Sequence, residues 1–492
     1  MLDATYEKWI IPQYVDLFSI QFEGGDGKSP ETAYIISKPV HMMKLSEAVC
    51  NGITYEGVHF RLACDIDLGD TVWQPIGYCS GPFDKREFSG IFDGAGFAVK
   101  NFHIENQGSK SAGLFGYIEY AVIKDLYVLN FKISSGDSVG GITGYSETST
   151  ITGCYSDGAV NSSSPHIGGL VGLACNSVIT NSVSVSSITV YDGNVSGGFC
   201  GYAYNGAKIY NCEARGQLKA LSVGEAGGFV GSVKDSAIST CNSSVEIITS
   251  NCGNVGGFGG FIRNCRVDLC KAGGNVNALN DETNALVGGF AGFTNSIVTR
   301  CIATGNITKK GTIGATGGFA GYIMRGSISL SYSCGSVMGD GSIGGFVGSV
   351  NCAGETPTSI ENCYCIGAVT TEDSKSTAGG FVGHVWRQSG NVVISNCYSF
   401  GPLSQKVKGF TTKESLGNIV DCIWRRDDNG INEDNSDGRG IQSFTTEQFS
   451  DPGMFGGMGW NIYDSESIWS YSDETGLQRP HLNGLPVINE TQ

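Results

Sequence analysis

The stretch GGFVGSVKDSAISTCNSSVEIITSNCGNVGGFGG, from Gly227 to Gly260, contains one complete repeat unit and the start of the next. Its Gly-Gly-apolar-x-Gly pattern occurs ten times at intervals of 27 to 35 residues, with alanine as the first residue in one copy. Ten copies at near-constant spacing indicate a repeat architecture. The copies begin at Ala112, Gly140, Gly168, Gly197, Gly227, Gly256, Gly288, Gly317, Gly344 and Gly379.

A second landmark in each unit is a position, usually occupied by cysteine, that follows an apolar residue and two spacers. Between the landmarks lie apolar runs of strand length, separated by Gly, Asn, Ser or Asp. Short strands at a spacing of about 29 residues predict an all-β, right-handed parallel β-helix, the handedness following from the crossover rule for parallel strands. The column reads Leu126, Cys154, Ser182, Cys212, Cys241, Cys270, Cys301, Ser331, Cys363 and Cys397, and Cys422 continues it.

Residues at equivalent positions of neighbouring coils should stack, so the apolar residue of each glycine motif predicts an interior ladder. The cysteine column should be reduced and inward-facing, because side chains that point the same way fit disulfide geometry poorly. The repeated glycines should allow a positive φ or a close approach of backbones. The expected ladder is Leu114, Ile142, Leu170, Phe199, Phe229, Phe258, Phe290, Phe319, Phe346 and Phe381.

Four regions are predicted from where the repeats begin and end. Residues 1–31 form an N-terminal extension, and 32–111 form a cap with the first coils, including a short helix over Val40 to Val49. Residues 112–421 form the repeats, and 422–492 close the array. In CDIDLGD, alternation should turn Ile66 and Leu68 inward and leave the aspartates as solvated turn residues.

Charge and hydropathy exclude some classes of binding partner and bear on where the protein is located. A net charge of −16 argues against nucleic acid and against an anionic membrane surface. No stretch approaches the roughly 18 consecutive apolar residues that span a bilayer, so we expect a soluble chain without membrane insertion. The N-terminus has Asp3 and Glu7 where a signal peptide has basic residues, so the chain either lacks a Sec signal or has lost one.

These repeats resemble the GLUG-motif proteins, a family of bacterial surface, adhesin-like and phage-associated polypeptides. The resemblance covers roughly Gly24 to the C-terminus and implies an extracellular, cell-surface or virion location. Some members of that family sit beside IgA-cleaving metallopeptidases, but this sequence has no His-Glu-x-x-His and its six histidines are scattered. No protease activity is therefore expected.

Catalytic and metal-binding motifs are sparse. Polysaccharide lyases and hydrolases need convergent carboxylates, and the predicted coil strands contain few Asp or Glu residues. The acidic stretch from Arg425 to Gly440 offers oxygen ligands for calcium but lacks the bidentate Glu of an EF-hand, so we expect a solvated loop and no cofactor, with calcium as the alternative. The glycine motif lacks the Lys and Ser/Thr of a phosphate-binding loop.

The candidate binding face lies where the last two full coils are longer than the rest. Cys363 follows Gly344 by 19 residues and Cys397 follows Gly379 by 18, whereas Cys154 follows Gly140 by 14. The insertions should protrude side by side, with Tyr322 one coil below. The alternative is that they are surface loops without a binding role. The predicted binding residues are Trp386, Arg387, His384, Tyr322 and Glu355.

An outer aromatic stripe after the glycine motif should either lengthen this face or simply stabilise the wall. The stripe comprises Tyr117, Tyr145, Tyr202, Phe261, Phe293 and Tyr322.

Taken together, these features favour a non-catalytic, rigid surface or virion protein. Its side wall would bind a glycan or protein of a host or bacterial cell, alone or in a homo-oligomer or larger assembly. The alternatives are a tailspike-like glycan hydrolase or lyase and a purely structural assembly element.

Overall fold

The chain forms a parallel β-solenoid of about 13 turns, with coils about 29 residues apart, which confirms the predicted β-helix. The computed structural model describes residues 22–105, 108, 110–279, 284–352, 356–386, 391–412, 418–426, 440–460, 462, 467–471 and 479–487. Neighbouring coils pair through parallel strands from the pairing of Tyr34–Ile36 with His59–Leu62 to that of Cys422–Arg425 with Ile441–Phe444.

Each complete coil visits three sheets in a fixed order. In one coil Ser138–Val139 lies in the third sheet, Thr143–Glu147 and Thr150–Thr152 lie in the first, and Tyr155–Ser162 lies in the second. We call the turn between the two strands of the first sheet the first corner, and the turn before the second sheet the second corner. The outward face of the first sheet is called the side wall.

The strands described in the structure are as follows. The first sheet contains Tyr34–Ile36, His59–Leu62, Ile91–Asp93, Phe115–Glu119, Val122–Lys124, Thr143–Glu147, Thr150–Thr152, Val171–Cys175, Val178–Thr180, Cys200–Tyr204, Lys208–Tyr210, Val230–Lys234, Ala237–Ser239, Gly259–Asp268, Ala291–Thr299, Ala320–Met324, Ser327–Ser329, Val347–Asn351, Thr358–Glu361, Val382–Val385, Val392–Ser395 and Asn418–Val420. The second contains Ile66–Val72, Ala98–Ile104, Tyr127–Ile133, Tyr155–Ser162, Val183–Val190, Glu213–Leu221, Asn242–Ser243, Glu246–Ser250, Lys271–Ala272, Val276–Ala278, Ile302–Ala303, Ile307–Lys309, Tyr332–Ser333, Val337–Met338, Tyr364–Cys365, Val369–Thr370, Tyr398–Ser399, Cys422–Arg425 and Ile441–Phe444. The third contains Ser138–Val139, His166–Gly168, Gly193–Gly197, Val223–Gly227, Asn254–Gly256, Leu286–Gly288, Ala315–Gly317, Ser342–Gly344 and Thr377–Gly379. Two antiparallel hairpins pair Tyr78–Gly81 with Asp84–Arg86 and Trp469–Ser470 with His481–Leu482.

The predicted apolar ladder fills the interior. Every member from Leu114 to Phe381 is fully buried, and the phenylalanines from Phe199 onward stack with ring centroids 4.7–4.9 Å apart. The ladder continues one coil further than predicted, because Phe410 stacks on Phe381 at 4.8 Å although no complete glycine motif precedes it. Such stacking adds about 0.5–1.5 kcal/mol per pair beyond the burial of apolar area.

The repeated glycines permit close approach of backbones. A Cβ atom at Gly227 would lie 2.0 Å from the carbonyl oxygen of Val230, and one at Gly228 would lie 2.2 Å from that of Gly257 in the next coil. Neither glycine has a positive φ. Positive φ values occur instead at the two corners, mostly at Asn and Asp, which tolerate the left-handed region better than other residues.

The cysteine column points into the interior, as predicted. Cys154, Cys212 and every later cysteine of the column are buried, and none of the 18 cysteines is joined to another by a disulfide bond. The thiol of Cys212 donates weak hydrogen bonds to the carbonyl oxygens of Ile179 and Tyr210, at 3.7 and 3.3 Å. Serine replaces cysteine in the same column at Ser182, whose hydroxyl accepts a bond from the amide of Cys154.

The N-terminal edge is covered by a helix, α1 (Pro39–Cys50), which is one residue longer at each end than predicted. Proline at its first turn supplies a φ angle suited to helix initiation. Met42, Leu45 and Val49 share one face and are fully buried against the first coils. The inward direction predicted for Ile66 and Leu68 is also confirmed, since both are buried while the neighbouring aspartates are exposed.

The C-terminal segment closes the last coil and also runs back along the solenoid. After Ile441–Phe444 come two short helices, α2 (Thr446–Phe449), which begins with a capping box formed by Thr445, and α3 (Pro452–Gly456). The segment then covers a ladder of stacked tyrosines on three successive coils. These tyrosines are Tyr332, Tyr364 and Tyr398, with ring centroids 4.7 and 4.9 Å apart.

In the described part of the chain, no helix is both long and apolar enough to cross a membrane.

Candidate binding surface

The aromatic stripe predicted from the sequence occupies one register column of the side wall. Tyr117 pairs with Tyr145, and Phe261 pairs with Phe293, which in turn pairs with Tyr322. The ring centroids are 5.1, 4.8 and 5.6 Å apart. Leu173 and Ser232 interrupt the column, so the aromatic residues form separate groups.

The stripe offers little free ring surface. Tyr117 is fully buried, and the other predicted members are about half-buried between their neighbours. Burial also raises the pKa of Tyr322, which accepts a 2.8 Å hydrogen bond from the side-chain amide of Asn351. These contacts favour the interpretation in which the rings stabilise the wall.

Both insertions fall at the first corner. One lies between Val347–Asn351 and Thr358–Glu361, and the other lies between Val382–Val385 and Val392–Ser395. Because both pairs of flanking strands are in register, the insertions belong to adjacent coils at the same point of the perimeter.

The predicted binding residues are only partly brought together. The ring of His384 lies 4.9 Å from that of Trp386 in an edge-to-face arrangement, and the Trp386 side chain is 48% exposed. Tyr322 shares the register column of His384 but lies two coils away, with Ser349 between them. Arg387 and Glu355 lie outside the described residues.

A groove of about 630 Å³ runs along the first corner, parallel to the solenoid axis. It extends over six consecutive coils, from Gly206 to the insertion that contains Thr356 and Pro357. The residues on its floor form one register column of the first sheet: Lys208, Ala237, Arg266, Ile297, Ser327 and Ser359. One predicted insertion therefore forms one end of the groove.

Three cationic side chains line this groove, namely Lys208, Arg266 and Arg325. All three residues are exposed, and none forms a salt bridge within the described residues. The acidic residue in the lining, Asp235, accepts a hydrogen bond from Asn264 and lies 3.6 Å from the ammonium group of Lys234. The groove thus has excess positive charge on an acidic protein.

A second polar cluster lies near the N-terminal end of the side wall. The hydroxyl of Tyr117 is 2.9 Å from a carboxylate oxygen of Glu119 and 2.8 Å from one of Glu147, on adjacent coils. Lys85 donates to Glu119 at 2.8 Å and to the Tyr117 hydroxyl at 3.2 Å. Burial, followed by these two carboxylates, raises the pKa of Tyr117 well above its ordinary value.

Metal coordination finds no support in the described residues, where no group of three or more His, Cys, Asp or Glu side chains is arranged to hold an ion. The acidic stretch proposed as the calcium alternative, with Asp428, Asn432, Asp434, Asn435 and Asp437, lies outside the described residues.

Comparison with known proteins gives short or weak matches. No family model matches the chain, so the GLUG-motif resemblance stays a prediction. The chain is 28% identical over 125 residues to halomucin of Haloquadratum walsbyi, and 33% identical over 112 residues to a protein of Evansella cellulosilytica described as a Gly-rich membrane protein. These matches cover 23% and 21% of this chain but only 1% and 12% of the two relatives.

A crystal structure of a candidate immunoglobulin A1 protease from Bacteroides ovatus aligns with 94% of this chain and 95% of its own, at 17% identity and a TM-score of 0.25.

Sequence reasoning missed the groove and the glutamate pair. Arg266 and Arg325 lie in different coils and have no common sequence motif, so only the register shows that they line one groove. A signal did exist at Arg325, because Asn205, Asp235 and Asn264 hold equivalent left-handed corner positions in earlier coils. An arginine at such a position departs from the residues that favour it.

Proposed function

We propose that this chain is a rigid, non-catalytic shaft of the GLUG-motif type, exposed on a cell surface or on a virion. Its side wall and first corner bind a glycan or protein of another surface. The proposal includes an extracellular location for the repeats, with no nucleic-acid partner.

The observation that carries the proposal is the groove along the first corner. Its floor is built on strands paired to both neighbouring coils, so the positions of its side chains are fixed by the solenoid. A long, preformed surface of this kind loses little conformational entropy when it binds an extended ligand. Trp386 and the insertion at Thr356 lie toward one end of the same face and supply contacts suited to a second surface.

The described relatives supply modest support for the location. One of the two is a Gly-rich membrane protein by its description, and the similarity lies within a glycine-rich repeat chain. Those matches involve about a fifth of this chain, so the proposal depends mainly on the groove.

The test is binding of the fluorescently labelled full chain to a panel of bacterial and host cells and to a glycan array. If binding is saturable and is weaker in a Trp386→Ala/Arg387→Ala double variant, the result would support a binding site at the insertions of the first corner. Tyr210→Ala, which removes an exposed aromatic residue elsewhere on the wall, is the matched control. If the folded wild-type chain binds no surface in either format, a structural assembly element replaces this proposal.

A glycan hydrolase or lyase is the second candidate, because Glu119 and Glu147 place two carboxylates on one tyrosine hydroxyl. Paired carboxylates of this kind can act as acid and base in glycoside cleavage. The check is release of reducing ends from capsular and gut polysaccharides by the wild type, by Glu119→Gln and by Glu147→Gln. Cleavage by the wild type that both variants lose would establish this alternative over the non-catalytic shaft.

A further inference from the structure

Three cations line the groove. Some cations outside it have an acidic partner, since Arg215 pairs with Glu213 at 2.7 Å and Arg300 forms a salt bridge with Asp268. In the groove, Lys208, Arg266 and Arg325 have no such partner within the described part of the chain. On a protein with a net charge of −16, unpaired cations gathered in one groove are unexpected as a solubility feature.

These cations also have a regular spacing. Lys208 and Arg266 occupy the same register column and are two coils apart, and Arg325 lies two coils beyond Arg266. Two coils correspond to about 10 Å along the axis. The groove therefore presents a positive charge at every second coil along its length, which suits an extended polymer with regularly placed negative groups.

The backbone at Arg325 has the same left-handed conformation as the equivalent first-corner residues of other coils, such as Asp235 and Asn264. Its φ is 55°, in the left-handed region, where a long unbranched side chain gains none of the local hydrogen bonds that help Asn and Asp. Its amide nitrogen donates to the hydroxyl of Thr358, which ties this corner to the strand that follows the insertion of the next coil. The corner conformation and this hydrogen bond therefore fix the backbone from which the Arg325 side chain enters the groove.

The rest of the lining favours a glycan over a peptide. Short polar side chains such as Ser236, Asn295 and Ser327 alternate with the cations and match a hydroxyl-rich ligand, and Ile297 offers one exposed apolar contact. One recurring way in which an extended peptide docks is by adding a strand to a free sheet edge. The strands on both sides of this corner are already paired to the coils above and below, so they offer no such edge.

We infer that the groove along the first corner binds an extended acidic glycan, whose carboxylate or sulfate groups are held by Lys208, Arg266 and Arg325. This inference rests on the proposed function and specifies its ligand class. The planar guanidinium groups of the two arginines can each bind a carboxylate or sulfate through two hydrogen bonds. The hydroxyl and amide side chains between them bind the sugar hydroxyls.

The experiment measures binding of the full chain to polygalacturonate, dextran sulfate, neutral dextran and polyglutamate by biolayer interferometry at several salt concentrations. We expect binding to an acidic glycan that weakens as salt rises, and a preference between the first two polymers that identifies carboxylate or sulfate as the anion. Arg266→Ala and Arg325→Ala should each weaken the affinity roughly tenfold, because each variant loses one charged hydrogen-bonding partner of the ligand.

The matched control is Arg215→Ala, which removes the same charge from the second sheet and should change the affinity by less than about twofold. Arg266→Lys keeps the charge but not the bidentate geometry and should lie between the wild type and Arg266→Ala. Circular dichroism and the melting temperature establish that each variant is folded. If Arg325→Ala fails to fold, Arg266→Ala alone decides the outcome.

Four outcomes overturn the inference. The first two are no binding to either acidic glycan and equal binding to neutral dextran. The third is that the groove variants, Arg266→Ala and Arg325→Ala, bind as well as Arg215→Ala does, and the fourth is equal, groove-dependent binding to polyglutamate, which would indicate an acidic peptide. Cell binding by the same variants distinguishes failure of this inference from failure of the proposed function. If the wild type binds cells and the groove variants bind them equally well, the proposed function stands but the groove is not its ligand site.

Discussion

The hydroxyl of Tyr332 donates a hydrogen bond to the main-chain carbonyl oxygen of Pro486, although 154 residues separate the two in the sequence. Tyr398, two coils further on, makes the same kind of bond to Pro480 and accepts one from Arg479 at 3.2 Å. The C-terminal segment therefore holds three coils together along their side as well as closing the end.

Tyr398→Phe should destabilise the C-terminal coils by about 1–3 kcal/mol, because the carbonyl of Pro480 and the guanidinium of Arg479 lose a buried partner. Tyr364→Phe is the matched control, since the Tyr364 hydroxyl has no hydrogen bond within the described residues although its ring stacks in the same ladder. Urea unfolding followed by tryptophan fluorescence measures both. Equal effects of the two changes would contradict the role given to the hydroxyl.

Phe290→Ala should cost about 3–5 kcal/mol, because it opens a cavity in the interior ladder and removes stacking on Phe258 and Phe319. Phe293→Ala, three residues away on the half-buried side wall, should cost clearly less. Chemical denaturation of the two variants under the same conditions provides the comparison. A larger loss for Phe293→Ala would mean that the wall, and not the interior, dominates stability here.

Gly228→Ala should destabilise by about 1–3 kcal/mol, because the added methyl group would lie 2.2 Å from the carbonyl oxygen of Gly257. Gly273→Ala is the control, since its nearest contact would be an ordinary 3.5 Å from the Thr304 side chain. Differential scanning calorimetry should give a lower melting temperature for the first variant and little change for the second. The close-approach explanation fails if both melt alike.

Thiol accessibility should separate native from unfolded protein. In the native state Cys64 is the exposed cysteine, and Cys50, Cys79 and Cys334 are partly exposed, so a thiol reagent should label only this small group quickly. Under denaturing, non-reducing conditions the number of reactive thiols should approach 18. Most cysteines remaining unreactive after denaturation would show that they are bonded and would refute the reduced column.

Alkaline pH should weaken the fold through the same column. Burial raises the pKa of Cys154 to about 12, against an ordinary 9.0 when the chain is unfolded. The raised value contributes stability that is fully present below pH 9.0 and is lost as pH rises toward 12. Cys154→Ser, which copies Ser182 in the same column, should show a shallower loss in urea unfolding between those pH values.

The repeat explains which parts of the structure were predictable. Phe290 and Cys301 were placed correctly because their environment recurs in every coil. Phe410 was missed because its coil lacks the full glycine motif, and its preceding Gly409 packs against the ring of Trp424 instead. Contacts such as Glu147 with Tyr117 depend on the register between coils and on side-chain directions, neither of which the sequence pattern specifies.

Orientation of the hydrogen bonds has a mechanical consequence. The bonds between coils, such as those from Phe290 to Phe319 and from Phe258 to Phe290, run along the solenoid axis. A pull on the two ends would load them lengthwise, so coils would detach one at a time instead of all together. Each detached coil of about 29 residues releases roughly 100 Å of slack. A tether built in this way can lengthen stepwise under load while its remaining coils stay folded.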